Sequence, residues 1–85
     1  MEPSDVELSP WAEEKCKRSG TDPELLREQR ACAVDLDDSH GWKLVRGPLR
    51  QNGRHFVFTC GPEDHIIHDF ADQKYPPSYM SSPAW

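Results

Sequence analysis

The run His55-Phe56-Val57-Phe58-Thr59-Cys60 is the most strand-like stretch of the chain, and it commits the fold to a β-sheet. Aromatic and β-branched residues suit a pleated surface. Gly61-Pro62-Glu63-Asp64 then supplies turn residues, and His65-Ile66-Ile67-His68-Asp69-Phe70 returns. The two runs predict a hairpin. Side chains alternate faces along a strand, so the register decides which residues meet. An odd-numbered loop, Cys60 to Asp64, sets Thr59 against His65 and gathers Phe56, Phe58, Ile66 and Phe70 on one apolar face. An even loop would mix the phenylalanines with His65 and Asp69. Hydrophobic patterning therefore predicts the odd loop, and with it His55 opposite Asp69. Upstream, Trp42-Lys43-Leu44-Val45-Arg46 alternates as a strand, Gly47-Pro48 ends it, and Gln51-Asn52-Gly53 reads as a turn.

Before Gly41 the pattern is helical. Ser9 can cap a first helix, Pro10 suits its first position, and Glu13 and Glu14 suit the positive end of its dipole. Gly20 stops it. Thr21 or Asp22 caps a second helix beginning at Pro23. Its apolar residues Leu25, Leu26, Cys32, Ala33 and Leu36 predict that it runs to about Leu36 and frays over Asp37-Asp38-Ser39. The expected fold is α+β: two N-terminal helices, a three-stranded antiparallel sheet and an irregular tail. Residues 1–85 form one domain, with 1–8 loose, 9–40 helical, 41–73 the sheet and 74–85 the tail. Tyr75, Tyr79, Met80 and Trp85 give that tail the means to lie across the sheet.

A chain of 85 residues has little core to spare. Mean hydropathy is −0.84 and hydrophobic content 35%, so at least one end is expected to stay out of the core. No stretch is apolar enough to span a membrane. Residues 1–10 lack the basic and apolar segments of a signal peptide. Cys16, Cys32 and Cys60 form an odd set that fits reduced thiols. A cytoplasmic protein is expected. The net charge is −5, whereas nucleic-acid-binding modules normally show a basic face. The charge instead fits solubility, or a protein that docks on a basic protein partner. The expected partners are accordingly protein, with neither nucleic acid nor membrane.

Three segments taken together resemble the core of small papain-like and transglutaminase-like cysteine hydrolases. They are Trp42 to Pro48, Gly53-Arg54-His55-Phe56, and Ile66-Ile67-His68-Asp69-Phe70-Ala71-Asp72-Gln73. The resemblance covers about residues 41–73. It implies His55 as general base, Asp69 as the acid that orients it, and an upstream cysteine as nucleophile on a helix. Cys16, among Lys15, Lys17 and Arg18, is the first candidate, and Cys32 is the second. The family places its nucleophile at a helix N-terminus, while the expected helices put both cysteines inside. The resemblance therefore implies either a hydrolase or a non-catalytic relative. Gly53-Arg54-His55 is also similar to the turn that opens a strand in toxin ribonucleases of the HicA type.

His55, Cys60, His65 and His68 fall within 14 residues, and Cys32 could join them to hold zinc. Alternation sets Cys60 and His68 on one face and His55 and His65 on the other, so a flat hairpin cannot converge them. No cofactor is expected. Without catalysis, the alternatives are an acidic protein-binding inhibitor or phage-type accessory protein that docks on a basic partner, with Trp11, Tyr79 and Trp85 as candidate contacts, or a small zinc-stabilised domain. Asp35, Asp37 and Asp38 read as a solvated helix end.

Overall fold

In the computed structural model the described residues are 1–39 and 41–74. After a single 3-10 turn at Pro3–Asp5 come β1 (Glu7–Leu8), α1 (Pro10–Ser19) and α2 (Pro23–Ala31). Then follow β2 (Val34–Ser39), β3 (Trp42–Arg46), β4 (Arg54–Cys60) and β5 (Ile66–Lys74). The helices start as their caps predict. Ser9 Oγ accepts from the Ala12 amide at 3.2 Å, and Asp22 Oδ1 accepts from the Glu24 amide at 3.0 Å. Gly20 ends α1 with φ +71°, a conformation that costs glycine nothing. None of the described helices is long and apolar enough to cross a membrane.

The sheet corrects the expected three-stranded antiparallel arrangement. It has five strands in the order β1-β5-β4-β3-β2 and is mixed. Two segments account for the difference. The second helix stops at Ala31, with Cys32 as its C-cap, and Val34 to Ser39 becomes a strand antiparallel to β3. Apolar Val34 and Leu36 separated by aspartates form a period-2 pattern, and β-branched Val and Asp are poor helix formers. At the other edge, Glu7 and Leu8 lie parallel to Ile66 and Ile67. This N-terminal stretch is not loose: the Glu7 amide donates to the His65 carbonyl at 2.8 Å, and Val6 is buried.

The hairpin register also differs. Thr59 pairs with Asp69 and His55 with Gln73, and an irregularity follows, so that Cys60 meets Ile67. Relative to the expected pairing the strands slide by four residues. Because the side-chain period is two, the slide keeps Phe56, Phe58 and Phe70 on one face, but the irregularity puts Ile67 on that face in place of the expected Ile66. Phe58 now sits opposite Phe70 instead of Ile66, and the Phe56 and Phe70 rings are 6.2 Å apart. Both helices pack on this face. Ala12 and Cys16 from α1 and Leu26 from α2 close over Val45, Phe56, Phe58, Cys60, Ile67 and Phe70. The opposite face carries Arg46, His55, Val57 and Ala71.

Gly61 joins β4 to the turn at φ +149°, and a Cβ there would lie 2.9 Å from the Gly41 carbonyl oxygen and 2.9 Å from Trp42 Cε3. Gly61→Ala is expected to destabilise the fold by about 1–3 kcal/mol, since a backbone atom must shift. Thermal unfolding would check this; an unchanged midpoint would mean that the turn yields freely.

Candidate functional site: a pocket at the β3–β4 hairpin

His55 opens β4 one residue after Arg54, and its side chain is buried, 1% exposed. It lines a pocket of roughly 330 Å³ together with Cys32, Val34, Arg46, Pro48 and Leu49. The strand order creates this grouping. Val34 on β2 pairs with Arg46 on β3, and Arg46 pairs with Val57, two residues beyond His55 on the same face. Pro48 and Leu49 come from the loop between β3 and β4, which the Gly47 amide pins to the Phe56 carbonyl at 2.8 Å.

Burial pushes the imidazole pKa of His55 below its ordinary value, and the Arg46 cation pushes it further the same way. Asp72 works against this shift, and Arg50 adds to it. Burial and Arg46 thus both favour the neutral form of the imidazole, the form in which a histidine acts as a base. Arg46 brings a permanent positive charge to the same pocket. Among the described residues the pocket lining contains no carboxylate.

The other expected site residues lie elsewhere. Asp69 does not face His55. In the observed register they are separated by four residues along the strand, about 13 Å. Instead Asp69 Oδ1 accepts from Lys15 Nζ at 3.0 Å and from the Phe70 amide at 2.8 Å. Burial pushes its carboxyl pKa up, but the Lys15 hydrogen bond, the Phe70 amide and the Lys15 charge outweigh that and hold it below the ordinary carboxylate range. Asp69 thus ties β5 to α1. Cys16 is buried inside α1, where desolvation raises its thiol pKa despite the nearby Arg27 charge. That is the reverse of what a nucleophile needs. Cys60 is in the core, raised likewise by burial. Cys32 alone of the three is exposed and shares the pocket with His55. It sits at the C-terminal end of α2, the negative end of the helix dipole.

An alkylating reagent under native conditions is therefore expected to label Cys32 and to leave Cys16 and Cys60 until the protein unfolds. Mass spectrometry of the labelled peptides reads this directly; early labelling of Cys16 would contradict the packing of α1.

The residues considered for zinc are dispersed. His65 lies 3.5 Å from Glu63 and 3.8 Å from Glu7, and His68 stacks edge-on with Trp42 at 4.9 Å. Among the described residues no group of three or more His, Cys, Asp or Glu side chains is arranged to hold a metal. Trp11 is exposed beneath the Arg18 guanidinium, 5.3 Å from its ring centre. Tyr75, Tyr79, Met80 and Trp85 lie outside the described residues. Asp35, Asp37 and Asp38 belong to strand β2 and not to a helix end.

Sequence reasoning missed Arg46 as a site residue, although the signal was legible. From Trp42 to Pro62 the chain carries Lys43, Arg46, Arg50 and Arg54 and no acidic residue, so all 15 acidic residues lie outside this hairpin. The net charge of −5 averages over two unlike regions. Lys43 pairs with Asp64 at 3.1 Å, and Arg50 and Arg54 pair with Asp72. Comparison with protein-family models, curated proteins and solved structures finds no match to this chain.

Proposed function

We propose that the hairpin pocket binds a phosphodiester of single-stranded RNA and that His55 acts there as general base. The observation that carries this reading is that a buried imidazole, its pKa lowered by burial and by the Arg46 charge, lines one pocket together with that guanidinium. A guanidinium suits a phosphate group and the negative charge that grows on it during transfer. Neither buried thiol is activated, and Cys32 lies at the wrong end of its helix, so a substrate bringing its own nucleophile fits best. RNA does so. The 2′-hydroxyl gives its proton to His55, its oxygen bonds to phosphorus, and the bond to the 5′-oxygen breaks. That oxygen takes up a proton from water, leaving a 2′,3′-cyclic phosphate and a 5′-hydroxyl, and the protonated His55 returns its proton to the solvent. The local resemblance of Gly53-Arg54-His55 to toxin ribonucleases supports the same class, and the acid-free hairpin supplies the local positive field that the whole-chain charge conceals.

The test is incubation with an end-labelled RNA oligonucleotide and its DNA counterpart. Cleavage of RNA only, with cyclic phosphate ends, is expected. Equal inertness of both, or equal cleavage of both, would overturn the reading.

One observation favours a second reading: Cys32 lines the same pocket as His55. In a cysteine hydrolase Cys32 would attack an acyl carbon with His55 as its base. Cys32→Ser separates the two, because it leaves RNA cleavage unchanged and abolishes thiol-dependent hydrolysis of an activated ester.

A further inference from the structure

We infer that Asp72 is a positioning residue for this pocket: its carboxylate holds Arg50 and Arg54 and thereby fixes the 47–53 loop whose Pro48 and Leu49 form the wall beside His55. The inference rests on the reading of this pocket as the functional site. Asp72 stands on β5 opposite Phe56, next to Gln73, the partner of His55. It does not line the pocket itself. It reaches the pocket through two arginines that approach from different segments.

Arg50 comes from the loop. Its guanidinium pairs with Asp72 Oδ1 and lies 4.2 Å from the centre of the Phe56 ring, with its side chain only 18% exposed. The guanidinium, laid over an aromatic ring, gains a cation–π contact in addition to its ion pair with the half-exposed Asp72 carboxylate. Arg54 comes from the start of β4. Its Nε lies 3.4 Å from the same Oδ1, and its terminal nitrogen donates to the Asp72 carbonyl at 2.9 Å. Between the arginines the loop is tightly closed. The Arg50 amide donates to the Arg54 carbonyl at 2.8 Å, the Gly53 amide donates to the Arg50 carbonyl at 3.0 Å, and the Arg54 amide donates to Asn52 Oδ1 at 3.0 Å. One carboxylate thus clamps both ends of a turn whose other arm is the pocket wall.

Three charges act on His55 from the elements around it: Arg46 from β3, Arg50 from the loop and Asp72 from β5. The opposing effect of Asp72 is the larger of the last two. Removing its charge therefore moves the His55 titration down, even if Arg50 swings away.

Asp72→Asn and Asp72→Glu test this in the ligand-free protein and in the cleavage assay. Amide exchange at Arg50 and Gly53 is expected to rise at least about tenfold in Asp72→Asn. The midpoint of the His55 imidazole titration, followed by NMR, is expected to fall, and RNA cleavage to drop about tenfold. Asp72→Glu is expected to restore all three in large part. A merely structural ion pair would lower the melting temperature while leaving the loop exchange and the cleavage rate unchanged, and that result would overturn the inference. Cleavage lost in His55→Gln but unaltered in Asp72→Asn would overturn it while leaving the proposed function standing. If wild type cleaves nothing but exchange and titration respond as described, the functional reading fails and the anchoring of the loop by Asp72 stands.

Discussion

Replacing His55 with glutamine is expected to lower the rate of RNA cleavage by about 10²–10⁴-fold, the range that a positioned general base contributes. Glutamine keeps a hydrogen-bonding side chain of similar bulk, so the folded state should survive for the comparison. Arg46→Ala is expected to fall in the same assay by about 10²–10³-fold, the usual loss on removing a group that stabilises developing negative charge. The pH profile adds a second reading. A general base works in its neutral form, so the wild-type rate should fall as pH drops through the pKa of His55. That pKa is lowered from 6.5, chiefly by burial and then by Arg46, so the acidic limb should lie below pH 6.5. Stability follows the same sign. The folded protein binds the His55 proton more weakly than the unfolded chain does. Stability is therefore lost as pH falls below 6.5, and the loss continues until the lowered folded value is passed. His55→Gln should remove this slope. A glutamine variant that cleaves as fast as wild type, with the same acidic limb, would remove His55 from the mechanism.

Phe58→Ala is expected to cost about 3–5 kcal/mol, the range for deleting a buried aromatic ring. Phe58 is fully buried at the centre of the sheet. It pairs with Val45 on one side and Phe70 on the other, and its ring centre is 5.8 Å from that of Phe56. A domain of 85 residues typically has about 4–13 kcal/mol in all. The variant should therefore sit close to unfolding at room temperature. Urea denaturation measures this directly, with Val34→Ala as control. Val34 is 51% exposed on the edge strand, and its truncation should change stability by no more than about 0.5 kcal/mol. A loss below about 1 kcal/mol for Phe58→Ala would place the core somewhere other than on this face.

Both helix starts were legible because capping is local: Ser9 and Asp22 act on amides two or three residues away. The apolar face of Phe56, Phe58 and Phe70 was equally legible, because alternation depends only on neighbouring residues. The end of α2 was harder. Cys32, Ala33 and Leu36 fit a helical period about as well as Val34 and Leu36 fit a strand, and the free edge of β3 decided between them. The pairing of Glu7 and Leu8 with Ile66 and Ile67 joins segments nearly sixty residues apart, and two residues carry no pattern that announces it.

The candidate site divides in the same way. His55 and the acid-free hairpin were present in the sequence, but the partners of His55 were not. Patterning fixes which face a residue takes and is blind to a slide by an even number of residues. Asp69 therefore appeared opposite His55 and in fact pairs with Thr59. Local propensity and alternation, acting over a few residues, determined the helix starts, the existence of the hairpin and the inner face of Phe56, Phe58 and Phe70. Strand order and register, set by packing across the whole sheet and by the length of the 61–65 turn, alone decided that His55 meets Arg46 and Cys32 while Asp69 goes to Lys15.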